Sequence, residues 1–249
     1  ISACCSQRRR IDMERDTTFI RTEKLLGKDG VNRLKNSSVI IFGLGGVGGY
    51  VVEALARSGV GSLALVDFDT VAQSNLNRQI VATQNTVGMK KTEAAKKHVF
   101  EINPEIKVTL FDEFFDENST IDLAGYDYVV DAIDSVKSKI FIAEQAYKKG
   151  VKEICCLSAG NKLDATRFKV ADVYSTTVCP LAKLMRKKLR EKGIKNLKVV
   201  FSDEERAEHK EEDIDKGKNV GSLAYVVGVV GLIAAGEVIK DIAFGTDKE

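Results

Sequence analysis

At 249 residues, 44% of them hydrophobic and 30% charged, the chain has the composition of a soluble globular protein and the length of one large α/β domain or one with an appendage. A net charge of +2 creates no overall field that selects nucleic acid, so DNA is not an expected partner. The five cysteines, Cys4, Cys5, Cys155, Cys156 and Cys179, contain no CxxC, so no zinc is expected; their odd number without a signal-peptide core suggests a reducing, cytoplasmic compartment.

The start, residues 1–12, reads as an upstream extension or a disordered segment, because Met13 precedes a plausible beginning. Short runs of Val, Ile and Leu then predict strands at 38–43, 61–67, 106–111, 126–131 and 152–157, the pattern of strands covered on both faces. Between them, apolar residues at helical spacing predict helices over 46–58, 90–102 and 135–149. Strands alternating with helices imply a doubly wound, mostly parallel α/β sheet of the Rossmann type. Residues 13–160 are expected to form a nucleotide-binding core, and 161–249 a C-terminal extension that completes the same domain.

That extension begins as an extended excursion with a strand near 167–170. A basic helix over 183–195 follows, then a strand at 197–201 and a charged stretch, SDEERAEHKEEDIDKGKN, expected to be a mobile loop. The plain reading of the basic helix is a solvated face. The apolar run 220–235 has 16 residues, short of the roughly 20 that span a bilayer. It predicts a buried helix over 220–244, with membrane contact as the alternative.

The chemistry starts at VIIFGLGGVGG, residues 39–49. Gly43 fits the tight turn after a strand, and Gly45, followed by Gly46, fits the approach of a phosphate to the backbone. Gly48 lets a helix pack close to the strand, and that helix N-terminus offers amide donors and a partial positive charge to an anion. Asp67 ends the second strand, where a ribose hydroxyl lies in such folds, and Asp69 is a second acid that a dehydrogenase does not usually need. Asn75 and Arg78 follow in SNLNRQ, and Lys90 and Lys91 open the next helix. Three cations near a nucleotide suggest a triphosphate, since a guanidinium suits phosphate oxygens and cations at a helix start need an anion nearby. VVDAIDS puts Asp131 and Asp134 at the carboxyl end of a parallel strand. There Asp134 fits a Mg²⁺ ligand, and Asp131 fits a loop-orienting or helix-capping group.

GLGGVGG, LVDFDTVAQSNLNRQ, VGMKKTEAA, INPEIKV and VVDAIDS stand in the order and spacing of the E1-like family, the ubiquitin-activating and ThiF-type enzymes, which this chain resembles over about residues 19–160. The resemblance implies ATP-dependent adenylation of a carboxylate rather than hydride transfer. It implies that Gly43, Gly45, Gly46, Gly48, Asp67 and Asp69 form the adenosine side of the site. It also implies that Asn75, Arg78 and Lys91 contact phosphates, that Asp134 holds Mg²⁺, and that Arg21 of FIRTEKLLG enters the partner's site in a homodimer.

The later stretches CPLAKLMRKKLREKGI, VVFS and GSLAYVVGVVGLIAAGEVIKDI resemble the tRNA threonylcarbamoyladenosine dehydratase branch. That branch implies a modified adenosine 37 in the tRNA anticodon loop as substrate, with the basic helix and the lysines of 207–218 as phosphate contacts. It leaves room for a monovalent cation, Na⁺ or K⁺, and for a cysteine desulfurase or sulfur-acceptor partner. Cys179 stands where an Asp is expected, and Val220 where a Pro is. The competing reading is adenylation of the C-terminal carboxylate of a ubiquitin-like sulfur carrier.

Overall fold

The computed structural model describes residues 18–205, 207 and 220–245. The expectations for 1–12, and for most of the charged stretch up to residue 219, therefore lie outside the described residues. The chain begins with helix α1 (Ile20–Lys35), then alternates β1 (Ser38–Phe42), α2 (Gly48–Ser58), β2 (Ser62–Val66), α3 (Lys91–Ile102), β3 (Lys107–Phe111), β4 (Tyr128–Asp131), α4 (Val136–Lys149) and β5 (Lys152–Cys156). It closes with β6 (Phe168–Asp172), α5 (Pro180–Glu191), β7 (Lys198–Ser202) and α6 (Ala224–Phe244).

The seven strands form one sheet in the order β3-β2-β1-β4-β5-β7-β6. Every pairing is parallel except β6 with β7. The chain works outward from β1 through β2 to β3, then crosses to β4 on the other side of β1. That reversal opens a crevice beyond the carboxyl ends of β1 and β4, which is where such sheets bind ligands. β1, β2 and β4 are almost wholly buried, as their apolar runs require. β3 departs from that expectation: it is an edge strand of exposed and half-buried residues, of which Val108 and Leu110 pack against the main core.

Helix α1 has no counterpart in the sequence reading. Only Gly30, Val31 and Leu34 of its 16 residues are buried, too few to write an apolar stripe, and Gly27 (φ 71°, ψ 167°) kinks it. The basic helix runs over Pro180–Glu191, three residues earlier than expected at its start. Pro180 occupies its first turn, where a missing N–H costs nothing, and Ala182, Met185 and Leu189 face the core.

The apolar C-terminal segment is a 21-residue helix, buried along one face, while Tyr225, Leu232 and Phe244 are exposed. No helix among the described residues is long and apolar enough to cross a membrane. Instead α6 lies across α2 and α1. Val226, Val230, Ala234 and Val238 join the main core, and Arg33 of α1 donates through Nε to the Ala243 carbonyl at 2.8 Å. At its other face Tyr128 and Lys198 reach Asp241 at 2.8 and 2.7 Å.

Small residues make the α2–α6 contact close. A Cβ on Gly228 would sit 3.3 Å from the Tyr50 ring. One on Gly231 would overlap the Val47 carbonyl oxygen and come within 2.8 Å of Tyr50 Cβ. Gly231→Ala should therefore force α6 away from α2 and lower stability by about 1–3 kcal/mol, the usual size of an overpacking penalty, in urea unfolding.

Candidate active site

A cleft of about 390 Å³ opens at the carboxyl ends of β1, β2 and β4. Its floor is the turn from β1 into α2. Gly43 adopts φ +85°, a conformation that L side chains avoid, and a Cβ there would meet the Ala132 carbonyl at 2.9 Å. Gly48 packs its Cα against the Gly43 carbonyl so tightly that any side chain would overlap that oxygen. Gly46 lies against Val227 of α6, where a Cβ would come within 2.9 Å. Gly45 differs from these three. The nearest atom to its would-be Cβ is Gln79 Nε2 at 3.8 Å, so nothing in the fold demands a glycine there. The space it keeps open belongs to the cleft, and no side chain caps the N-terminus of α2 beside it.

Asp67, only 8% exposed, fastens this turn to the second loop. Its Oδ2 accepts from the Leu44 N–H at 2.7 Å and its Oδ1 from the Asp69 N–H at 2.9 Å. Both oxygens retain a lone pair for a further donor. Lys91, buried at the first turn of α3, donates to Asp69 Oδ2 at 2.7 Å and lies 4.0 Å from Asp67 Oδ2. The anions expected near this cation thus include two of the protein's own carboxylates. Lys90 is exposed and does not line the cleft, so of the three expected cations only Arg78 and Lys91 face it. Lys90 instead flanks the helix as its N-cap, pairing in a short bridge with Thr70.

Asn75 is buried, and its Oδ1 accepts from the Ala72 N–H at 3.0 Å. That bond orients its Nδ2 as the free donor on the cleft side. Arg78 is half-exposed and tethered through Nη1 to the Ser74 carbonyl and to Asn77 Oδ1, both at 2.9 Å. Gln79 also lines the cleft, although its neighbours in the motif drew the attention. It is 6% exposed, and its Oε1 is buried with no hydrogen-bond partner. The signal was available: the Gln79 N–H bonds the Asn75 carbonyl at 2.9 Å, so the two residues stand one helical turn apart on the same side.

Across the cleft, Asp134 sits exposed in the turn between β4 and α4, with no hydrogen bond or ion pair among the described residues. Ser135 caps α4 by accepting from the Ser138 N–H at 3.4 Å. Asp131 is therefore not the helix cap. It is fully buried, and its Oδ1 accepts from the Ile133 N–H at 3.2 Å, which leaves it the loop-orienting role. At the mouth, the half-exposed rings of Phe68 and Phe114 meet edge to face with centroids 5.4 Å apart.

Arg21 does not line this cleft; it is exposed on α1. Among the described residues, the cysteines supply no nucleophile to the cleft either. Cys155 and Cys156 are buried in β5, where burial pushes the Cys156 thiol up to about 12 and Cys155 well above its ordinary value. Cys179 is the N-cap of α5 and lies outside the cleft lining.

The arrangement presents an open glycine turn at a helix N-terminus, an amide-fixed carboxylate, two cations and an unpartnered carboxylate around one nucleotide-sized space. Comparison with known proteins agrees with that chemistry. A tRNA threonylcarbamoyladenosine dehydratase of Bacillus subtilis (strain 168) is 41% identical over 241 residues, spanning 90% of this chain and 94% of that protein. The crystal structure of E. coli tRNA N6-threonylcarbamoyladenosine dehydratase in complex with AMP is similar with a TM-score of 0.82 at 31% identity, covering 89% of this chain and 92% of that one. The same E. coli enzyme in complex with ATP gives 0.80 at 30% identity, covering 90% and 93%. The sequence profile of the ThiF family matches residues 20–248, and this chain belongs to that family.

Proposed function

We propose that this protein uses ATP to dehydrate N6-threonylcarbamoyladenosine in tRNA, activating the threonyl carboxylate as an acyl-adenylate and closing it into a ring. The observation that carries this reading is the 41% identity to the Bacillus dehydratase along 90% of the chain. The cleft supports its nucleotide half. The space kept open at Gly45 would admit a phosphate, and the buried, unpartnered amide of Gln79 and the free Nδ2 of Asn75 await a polar ligand.

In the first step a threonyl carboxylate oxygen attacks the α-phosphorus of ATP. The new P–O bond replaces the bond to the β-phosphate, and pyrophosphate leaves. Arg78 and Lys91 would neutralise charge that grows on the phosphates, and Asp67 would accept a ribose hydroxyl through its remaining lone pairs. Asp134, exposed and unpaired opposite the glycine turn, suits a Mg²⁺ held by one carboxylate and phosphate oxygens; the ion would supply charge neutralisation there. In the second step a nitrogen of the same carbamoyl group attacks the acyl carbon, loses its proton and expels AMP. That step is intramolecular, so positioning and the exclusion of water suffice, and no protein nucleophile is required.

The tRNA would approach over α5, whose outward face carries Lys183, Lys187 and Arg190 while Ala182, Met185 and Leu189 are buried. Such cations supply phosphate affinity with little sequence information. The exposed Arg21 would act in trans in a homodimer, and a cytoplasmic setting belongs to the same reading.

The direct test is incubation with ATP and tRNA carrying threonylcarbamoyladenosine. AMP should form, the nucleoside should lose the mass of one water, and Asp134→Ala should abolish both. AMP formation only with a ubiquitin-fold carrier would move the assignment to that substrate. Gly45→Ala should leave urea stability within about 0.5 kcal/mol of the parent, because its Cβ would come no nearer than 3.8 Å to any protein atom, yet weaken ATP binding in calorimetry. Mixing inactive Arg21→Ala and Asp134→Ala proteins should restore turnover through mixed dimers that contain one complete site; no recovery would remove Arg21 from the mechanism.

A further inference from the structure

Directly behind the turn that carries Asp134 lies a polar group sealed in the core. Lys139 is 1% exposed and Asp131 and Cys155 are 0% exposed. The Lys139 ammonium donates to Asp131 Oδ1 at 3.0 Å and to the Cys156 carbonyl at 2.8 Å, and it lies 3.6 Å from Cys155 Sγ. Cys155 Sγ–H in turn donates to Asp131 Oδ2 at 3.1 Å. All three ammonium hydrogens and both carboxylate oxygens therefore have partners.

Burial is the largest influence and opposes the Lys139 charge, but the Asp131 carboxylate, its hydrogen bond and the neighbouring Cys155 and Cys156 together hold the ammonium above the usual lysine value. Glu153 in β5, whose Oε1 is buried, has its carboxyl pushed well above the usual carboxylate range by burial and then by Asp131, so it stays neutral and does not compete for Lys139. A buried ion pair of this kind adds little net stability compared with apolar residues of the same volume. Its location gives it another use. Asp131 ends β4 and holds the Ile133 N–H at 3.2 Å, while Lys139, in the first turn of α4, donates its own N–H to the Ser135 carbonyl at 2.9 Å. The pair thus ties together the two ends of the turn 132–135, whose one acidic member facing the cleft, Asp134, has no partner of its own among the described residues.

We propose that Lys139 is a positioning residue: through its buried pair with Asp131 it fixes the β4–α4 turn so that the Asp134 carboxylate is held ready for a metal–triphosphate. The proposal rests on the reading of Asp134 as the magnesium-side carboxylate. Partners that orient a metal ligand typically contribute about 10–100-fold to metal affinity or activity.

The test is ATP binding by calorimetry, with magnesium and with a chelator, on the full chain. Lys139→Met should weaken magnesium-dependent ATP affinity by about tenfold or more while leaving metal-free ATP affinity unchanged. Lys139→Arg should recover most of the loss, and Asp134→Ala added to Lys139→Met should weaken binding no further, since the two act on one element. A folded Lys139→Met protein with parental magnesium-dependent affinity, or additive losses in the double variant, would overturn the proposal. If Lys139→Met does not fold, Asp131→Asn with Lys139→Met removes both charges and carries the same measurement; failure of that protein to fold as well would assign the pair to stability and overturn the proposal too. Asp134→Ala alone keeps the two readings apart. No effect from it defeats the magnesium assignment, whereas an effect from it without one from Lys139→Met defeats only the positioning role.

Discussion

The Gly43 carbonyl oxygen occupies the place where a side chain at position 48 would begin, and much of this molecule is arranged around that steric exclusion. With no Cβ at 48, α2 can start directly against the end of β1, and its first amides point into the space beyond the sheet. The same closeness brings the Val47 carbonyl up to α6, where only a glycine at 231 fits, and brings Gly46 against Val227. Asp67 then holds the turn from the side by accepting the Leu44 N–H. Four elements, β1, α2, β2 and α6, therefore meet at one junction whose tolerances are set by van der Waals contact rather than by charge.

Charge enters on the rim of that junction, and it is distributed with care for solvation. The carboxylates that point inward, Asp67 and Asp131, have a partner on each oxygen, from backbone amides, Lys139 or a thiol, with Lys91 4.0 Å from Asp67. Of the groups left incompletely satisfied, Asn75 Nδ2, Gln79 Oε1 and the exposed Asp134 line the cleft, whereas Glu153 Oε1 is buried in β5 away from its lining. For the buried Gln79 Oε1 that state carries a desolvation cost unless something binds it. The meeting of Asn75, Gln79 and Asp134 around one cleft gives the nucleotide reading a physical argument beside the sequence likeness.

Local signals wrote the parts of this site that could be read from the sequence. Gly43, Gly45, Gly48, Asp67, Asn75 and Arg78 lie in two short stretches where backbone geometry and chemistry coincide, and β1, β2 and β4 announce themselves as apolar runs, with β5 a shorter one after Lys152 and Glu153. What the sequence hid depends on partners far along the chain. Val227 reaches the glycine turn only because α6 folds back over α2, and Lys139 has a role only because β5 brings Cys155 and Cys156 beside it. Lys90 reads as equivalent to Lys91 because adjacent residues at a helix start cannot be told apart by composition, yet Lys91 is buried against the cleft and Lys90 is exposed outside its lining. α1 escaped notice because a kinked helix that buries three residues has no periodic stripe to read. β3 reads as a buried strand because Val, Leu and Phe suit an edge that is covered in part as well as a centre covered on both faces.

The docking of α6 also bears on the order in which this protein can become competent during synthesis. The glycine turn leaves the ribosome early, but the surface it rests on arrives some 180 residues later, and Arg33 waits for a carbonyl separated from it by 210 positions. Loop closure over such spans is slow compared with the formation of local helices and adjacent parallel strands. A nascent chain would therefore carry the complete nucleotide motif in a half-built state, with the apolar flank of α2 uncovered, until the last helix emerges. That interval is when chaperone dependence and aggregation should concentrate, and lesions in α6 would register as loss of nucleotide binding although they lie outside the glycine and Asp67 motifs that announce the site.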